Sequence, residues 1–303
     1  MNVRTPSFEP HEQDWLADRF EANRSYLRSV AYRMLGSLTD ADDAVQEAWI
    51  RLSRTDTSDV DNLRAWLTTV VGRVCLNMLR ARRTRREAPL DIHVPDPLVS
   101  PEEGIDPEQE ALLGDSVGLA MLVVLDALAP AERVAFVLHD VFAVPFDAIG
   151  PIVGRTPTAA RQLASRARRR VQGAPVPDSD LDEQWAVVDA FLAASREGDF
   201  ERLLAVLDPD VVVRSDGGAA RPGLISLVRG AEAVAGQAMT FRRFSQTATR
   251  VLVNGLPAGV AWAPDGTPYA VVALTVKGGR IVEIDVLADP DRLAQLDLAE
   301  VAG

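Results

Sequence analysis

Residues 144–171 read VPFDAIGPIVGRTPTAARQLASRARRRV, and the fold of the chain is decided there. Phe146, Ile149, Ile152 and Val153 recur at helical spacing, and Gly154 supplies a C-terminal stop. Thr156 then caps a second helix that Pro157 opens. In that helix Ala160, Leu163, Ala164, Ala167 and Val171 face inward, while Arg161, Gln162, Ser165, Arg166, Arg168 and Arg169 face out. Residues 155–170 hold six arginines and no acid. A helix-turn-helix loaded this way suits a DNA major groove, with cations reaching the flanking phosphates. The chain as a whole has a formal charge of −12, so this positive charge is local.

A second basic cluster lies upstream at Arg80, Arg82, Arg83, Arg85 and Arg86. It ends a long apolar-striped helix carrying Leu63, Trp66, Leu67, Val70, Val71, Val74 and Met78. Trp66 and Cys75 are read as packing residues. Before it, Leu27, Val30, Ala31, Met34, Leu35 and Leu38 form one helical face. Thr39 is the expected cap of the next helix, with Asp40, Asp42 and Asp43 in its first turn. Residues 14–88 are therefore read as an all-helical unit. Two basic helices in an acidic chain point to two contacts with DNA.

Residues 89–111 are acidic and proline-rich and read as an extended linker; no Lys or Arg lies between Glu87 and Arg133. A second helical unit spans 112–172, and a short linker at 173–181 contains Pro175 and Pro177. The grammar then changes. Two helices (one with Trp185, Val188, Phe191 and Leu192, one around 200–207) precede strand-like runs at 210–215, 247–253, 259–263, 269–277 and 280–287. Asn254-Gly255, Asp265-Gly266 and Gly278-Gly279 mark turns between them. Residues 182–303 thus read as an α+β domain with an antiparallel meander. It holds 11 basic and 17 acidic residues, net −6, which excludes it as a DNA binder.

At 303 residues, two or three compact units are expected. No apolar run is long enough to span a bilayer. No secretory signal is visible at the N-terminus. Cys75 is the only cysteine, so neither an intramolecular disulfide nor a cysteine-based metal site is expected. No metal or cofactor and no membrane contact is expected, and the cytoplasm is the expected compartment. Lys277 is the only lysine among the basic residues.

The first two units resemble the bacterial extracytoplasmic-function (ECF) sigma factors, RNA polymerase subunits that recognise promoters. The strings that carry the likeness are FEANRSYLRSVAYRMLGSLTDADDAVQEAWIRL, NLRAWLTTVVGRVCLNMLRARRTRRE and LAPAERVAFVLHDVFAVPFDAIGPIVGRTPTAARQLASRARRRV, within residues 15–172. The resemblance implies that Asp43, Gln46 and Glu47 dock on the β′ clamp of core RNA polymerase, carboxylates on one helix face meeting a basic partner. It implies that Asn77, Arg80, Arg82, Arg83, Arg85 and Arg86 hold the melted minus-ten element of promoter DNA. It makes the second helix of the turn the minus-thirty-five reader. Thr158, Arg161 and Gln162 are the candidates for base edges, and Arg155, Ser165, Arg166 and Arg169 for phosphates.

The third unit resembles the SnoaL-like, or NTF2-like, cone-shaped domain fused to one sigma subgroup. WAVVDAFLAASREGDFERLLAVLDPDVVVRSDGG and IVEIDVLADPDRL carry that likeness. In that subgroup a linker segment like Gly-Pro-Trp-Leu-Pro-Glu-Pro docks near the domain; here Pro95-Asp96-Pro97 retains its proline-acid-proline part. Asp216-Gly217-Gly218 matches a glycine-rich segment of the subgroup. Asp289-Pro290-Asp291-Arg292-Leu293 matches its Asn-Pro-Asp-Lys-Leu-like segment. The implied role is regulation within the same chain, with room for a small-molecule ligand in the pocket. The expected function is that of an alternative sigma factor, not an enzyme. One rival is a ligand-responsive DNA-binding regulator that acts without polymerase. Another is a small-molecule cyclase or isomerase fused to DNA-binding domains, for which Asp210, Asp216, Glu283 and Asp285 are the available carboxylates.

Overall fold

In the computed structural model the described residues are 10–55, 60–85, 92–102, 118–240, 242 and 246–301. The chain forms two compact units, Met1–Glu87 with Leu128–Gln172, and Ala88–Ala127 with Gly173–Gly303. Among the described residues no helix is long and apolar enough to cross a membrane.

The first unit begins with helices α1 (Pro10–Leu35), α2 (Leu38–Leu52) and α3 (Leu63–Arg85), each packed on the other two. The apolar stripe of α1 is buried as its spacing requires: Leu27, Val30, Ala31 and Met34 have no exposed surface. Gly36, at φ +66°, turns the chain between α1 and α2. The cap of α2 is Ser37 rather than Thr39, its hydroxyl accepting from the Asp40 N–H. Both hydroxyls suit a cap, and local sequence alone does not separate them.

The helix-turn-helix belongs to the same unit. Helix α5 (Pro130–Phe136) runs into a π-helical turn, Val137–Val141, and is followed by α6 (Phe146–Val153) and α7 (Pro157–Val171). Gly154 closes α6 at φ +68°, and the Thr156 hydroxyl accepts from the Ala159 N–H at 3.3 Å. Helix α3 packs on both α5 and α6. Gly72 eases this approach, since a Cβ there would lie 3.3 Å from Ile152. Tyr26 of α1 meets Phe142 edge-on at 5.5 Å between ring centroids.

Cys75 sits fully buried in this core. Burial pushes its thiol up to about 12, and the nearby Arg133 charge offsets only part of that. The native protein is therefore expected to resist a thiol-labelling reagent at pH 8 and to react stoichiometrically once unfolded. Rapid labelling of the folded chain would contradict this placement.

Among the described residues the second unit is built on a seven-stranded sheet in the order β1-β4-β5-β6-β7-β2-β3. Strands β4 (Thr249–Val253), β5 (Leu256–Trp262), β6 (Pro268–Lys277) and β7 (Arg280–Leu287) form the expected antiparallel meander. Strand β2 (Leu207–Asp216) lies parallel to β7, because the whole excursion through β3 (Ser226–Arg229) and the meander separates them. Helices α8 (Leu181–Glu197), α9 (Phe200–Val206) and α10 (Ala231–Thr240) cover one face of the sheet. Their core includes Trp185, Val188, Leu203 and Val234 against Val213, Leu274 and Ile284. Helix α4 (Leu119–Asp126), apolar and largely buried, contacts β7.

The proline-rich linker is part of this unit. Val99–Ser100 forms β1, which pairs with β4 through Val99–Val253 and Ser100–Leu252. Asn254 extends the pairing, its N–H donating to the Leu98 carbonyl at 2.8 Å and its side-chain oxygen accepting from the Leu98 N–H at 3.1 Å. The second linker is tied as well: the Asp178 carboxylate accepts from the Gly278 and Gly279 N–H groups at 2.9 and 3.0 Å.

Candidate nucleic-acid interface and linker clamp

Helix α7 presents Thr158, Arg161, Gln162, Ser165, Arg166, Arg168, Arg169 and Arg170 outward. These arginines are not equivalent. Glu132 of α5, itself buried, takes Arg166 at 2.7 Å and Arg170 at 3.0 Å. Asp140 takes Arg168. These pairs fasten α7 to its scaffold and neutralise part of its charge, a use that competes with phosphate contact. Arg161 lies over the Phe146 ring at 5.2 Å, and Arg155 donates to the Gly154 carbonyl at 3.0 Å. Both remain exposed, as does Arg169.

On α3, Asn77, Arg80 and Arg83 are exposed on the helix. Arg82 is turned inward, donating to the Leu35 carbonyl at 2.7 Å and pairing with Asp40. It ties α3 to α1 and α2. The side chain of Arg85, and all of Arg86, lie outside the described residues. Trp66 is only half-buried, so packing does not consume its whole ring. On α2, Asp43 and Gln46 are exposed, and Glu47 pairs with Arg51 at 2.8 Å.

A different kind of site joins the linker to the α+β unit. Helix α11 (Pro290–Leu293), capped by Asp289, carries Arg292. Its guanidinium donates to Asp96 at 2.8 Å, to Asp216 at 2.9 Å and to the Val94 carbonyl at 2.6 Å. Asp216 also faces His93 Nδ1 at 3.1 Å and accepts from the Val94 N–H at 3.2 Å. Pro95 and Pro97 flank Asp96 and are buried; lacking an N–H, they leave no orphan donor there. Gly217 and Gly218 are required by crowding. A Cβ on Gly217 would collide with the Arg221 carbonyl, and one on Gly218, at φ +59°, with the Asp289 carboxylate.

Burial alone would raise the Asp216 carboxyl. The His93 hydrogen bond, the Arg292 charge and the Val94 N–H outweigh it and hold the group at about 2. A carboxyl lowered by folding stabilises above its unfolded value, near 4, and loses that contribution as pH falls toward 2. Linker docking is thus expected to be insensitive to Asp216 protonation from neutral pH to about pH 4. Below that, protease access to residues 92–102 should rise more in the wild type than in Asp216→Asn, which is already uncharged at that position.

Glu283 and Asp285 lie elsewhere. Arg214 holds both, at 3.1 and 3.0 Å. Burial raises Asp285 to about 6 even beside that guanidinium. Ile284 and Val286 line a cavity between the sheet and its helices. Strand alternation therefore turns Asp285 to the opposite face. Asp210 is exposed. None of the four carboxylates lines the cavity.

Three segments match family models: residues 19–85 match Sigma-70 region 2, residues 119–171 match Sigma-70, region 4, and residues 188–284 match the SnoaL-like domain. The chain is 39% identical over 299 residues to the probable ECF RNA polymerase sigma factor SigI of Mycobacterium tuberculosis, covering 96% of this chain and 99% of that protein. The chain belongs to the ECF sigma factors. It is also 38% identical to the M. tuberculosis ECF RNA polymerase sigma factor SigJ, over 93% of this chain and 94% of that one. The crystal structure of SigJ superposes with a TM-score of 0.77 at 35% identity, covering 93% of this chain and 99% of that one.

The fold is accordingly that of two helical sigma regions followed by a SnoaL-like α+β domain, and the function is that of an RNA polymerase sigma factor. As such it engages core polymerase and promoter DNA. Sequence reasoning named Asp96, Asp216 and Asp289 but missed what Arg292, His93 and Val94 do. The Asp-Pro-Asp-Arg-Leu string contained the signal, since a lone arginine after two acids invites a partner carboxylate.

Proposed function

We propose that this sigma factor is regulated in cis through its linker, held by the SnoaL-like domain, and that the domain acts by binding and not by catalysis. The observation that carries the reading is the three-way grip of Arg292 on Asp96, Asp216 and the Val94 carbonyl. Packing inside the first unit supports it. Regions 2 and 4 touch through Gly72 and Ile152, and through Tyr26 and Phe142. The promoter elements they read lie about 25 base pairs apart, roughly 85 Å at about 3.4 Å per pair. The packed arrangement must open before both are engaged, and a linker fastened at residues 92–102 restricts that opening. Such a subunit works in the cytoplasm, beside its polymerase.

In this reading Asp43, Gln46 and Glu47 face the β′ clamp, and Asn77, Arg80 and Arg83 form the track for the melted strand. Thr158, Arg161 and Gln162 read base edges; Arg155 and Arg169 hold phosphates. Arg161→Ala should relax discrimination among minus-thirty-five sequences by roughly tenfold. Arg169→Ala should weaken binding evenly and lower the salt slope by about one. Equal losses on every sequence for both variants would overturn this division.

Run-off transcription by full-length protein with core polymerase tests the regulatory reading. Asp96→Ala should raise output severalfold from the same start site as the wild type. Unchanged output, or a changed choice of promoter, would refute it.

A further inference from the structure

Helix α7 and the turn before it carry six arginines, Arg155, Arg161, Arg166, Arg168, Arg169 and Arg170, and no acid. Left bare, such a face binds any duplex, because each phosphate contact releases counterions whatever the bases are. The scaffold answers with two carboxylates. Glu132 of α5 has a side chain only 8% exposed, and it divides its oxygens. Oε1 takes Arg166 Nε at 2.7 Å, and Oε2 takes Arg170 Nη1 at 3.0 Å. The two arginines are four residues apart and so share one face of α7. Asp140, from the π-helical turn, takes Arg168 through Nε and Nη2 at 2.8 and 2.5 Å. Arg155, Arg161 and Arg169 pair with no acid among the described residues. Exposure alone would make phosphate ligands of Arg166 and Arg170, whose side chains are 47% and 59% exposed. The burial of their partner withholds them. A phosphate that draws either arginine away leaves a Glu132 oxygen unpaired beneath the surface, a loss larger than one exposed contact returns.

We infer that Glu132 is a positioning residue that sets promoter specificity, by holding Arg166 and Arg170 out of sequence-independent phosphate contact. The inference rests on the reading of α7 as the minus-thirty-five reader. Phosphate contacts carry no sequence information, so each arginine withheld from them raises the share of binding that Thr158, Arg161 and Gln162 decide. On a random duplex nothing fixes the register of α7, and the helix settles where phosphates meet most cations. On its own element the base contacts fix the register, and a freed arginine gains only the phosphate that this register offers. Releasing Arg166 and Arg170 therefore tightens random binding more than specific binding. Competing random sites far outnumber promoters in a genome, so the ratio of the two matters more than either affinity.

The test is binding of holoenzyme, assembled from the full-length chain and core polymerase, to two duplexes over a range of salt. One duplex carries a minus-thirty-five element that wild-type holoenzyme selects from a random pool; the other carries the same bases scrambled. Core polymerase contributes equally to every variant, so differences between variants are read. Glu132→Gln keeps the shape of the side chain and removes its charge. It should bind the scrambled duplex about threefold to tenfold more tightly and steepen the salt slope there by about one to two. Its gain on the selected duplex should be smaller, so discrimination falls by about threefold or more. Arg170→Gln should leave the salt slope unchanged in the wild type and lower it by about one in the Glu132→Gln background. A merely structural role for Glu132 predicts weaker binding to both duplexes instead, with the same Arg170→Gln effect in either background. Unchanged or weaker binding to the scrambled duplex, by a Glu132→Gln chain that melts as the wild type does, overturns the inference. So do equal gains on both duplexes, or a slope that Arg170→Gln lowers in the wild type. If Glu132→Gln does not fold, that last slope decides alone: unchanged supports the inference, and lowered by about one overturns it. Failure of the wild type to select any element is a separate result, which overturns the reading of α7 itself.

Discussion

Replacing Arg292 by alanine should release the linker and destabilise the second unit by about 3–5 kcal/mol. Asp96 and Asp216 are 11% and 12% exposed, and each would lose its counter-charge while still shielded from water. The Val94 carbonyl would lose its donor as well. A loss of that size in a unit of this length corresponds to a fall in Tm of roughly 10 °C. Limited proteolysis supplies the specific readout, with cleavage within residues 92–102 accelerating far more than elsewhere. Arg292→Lys should recover only part of the loss. An ammonium carries the charge but cannot fork toward two carboxylates and a carbonyl together. An alanine variant with wild-type melting and cleavage would mean that the grip contributes nothing to docking.

Gly150→Ala should damage the DNA-reading module out of proportion to the one methyl group added. Gly150 is buried in α6, and a Cβ there would lie 2.8 Å from the Arg155 carbonyl and 3.2 Å from the Pro157 nitrogen. Both neighbours are backbone of the turn, so a flexible side chain cannot move aside to make room. The Gly150 carbonyl also accepts the Arg155 N–H at 2.9 Å, which closes the turn. Overpacking of this kind costs about 1–3 kcal/mol, and α7 must tilt to relieve it. Minus-thirty-five-dependent transcription should fall by at least about tenfold, the loss expected when one base contact is misplaced. Association with core polymerase should be retained. Transcription at the wild-type level would show that the turn tolerates the added methyl.

Local signals made the helices legible. The stop at Gly154, the cap at Thr156 and the apolar stripes of α1 and α7 lie within a few residues of what they control. Partner-dependent features were not legible in the same way. Arg166 and Arg161 look alike in the sequence, yet Glu132 engages one and Phe146 underlies the other. Strand alternation separates Asp285 from Ile284 without saying which of them faces the helices. Strand β1 has two residues, too few to show a period, and α10 shows little amphipathic pattern. Asp96 and Arg292 are 196 residues apart, so no local pattern pairs them. Resemblance pointed to the segments of the clamp, but only the fold supplied its chemistry.

The short pairing of Val99–Ser100 with β4 has one more consequence. Backbone N–H and C=O groups along an unprotected edge strand are a template for another strand, and folded proteins cover such edges. Here the cover is on loan from the linker. Whatever withdraws the linker also uncovers the rim of the sheet, so a released molecule is stickier toward its own copies than a docked one. Under the proposed regulation in cis, freedom to reach a promoter and exposure to self-association arrive together, which favours brief release and prompt capture by polymerase.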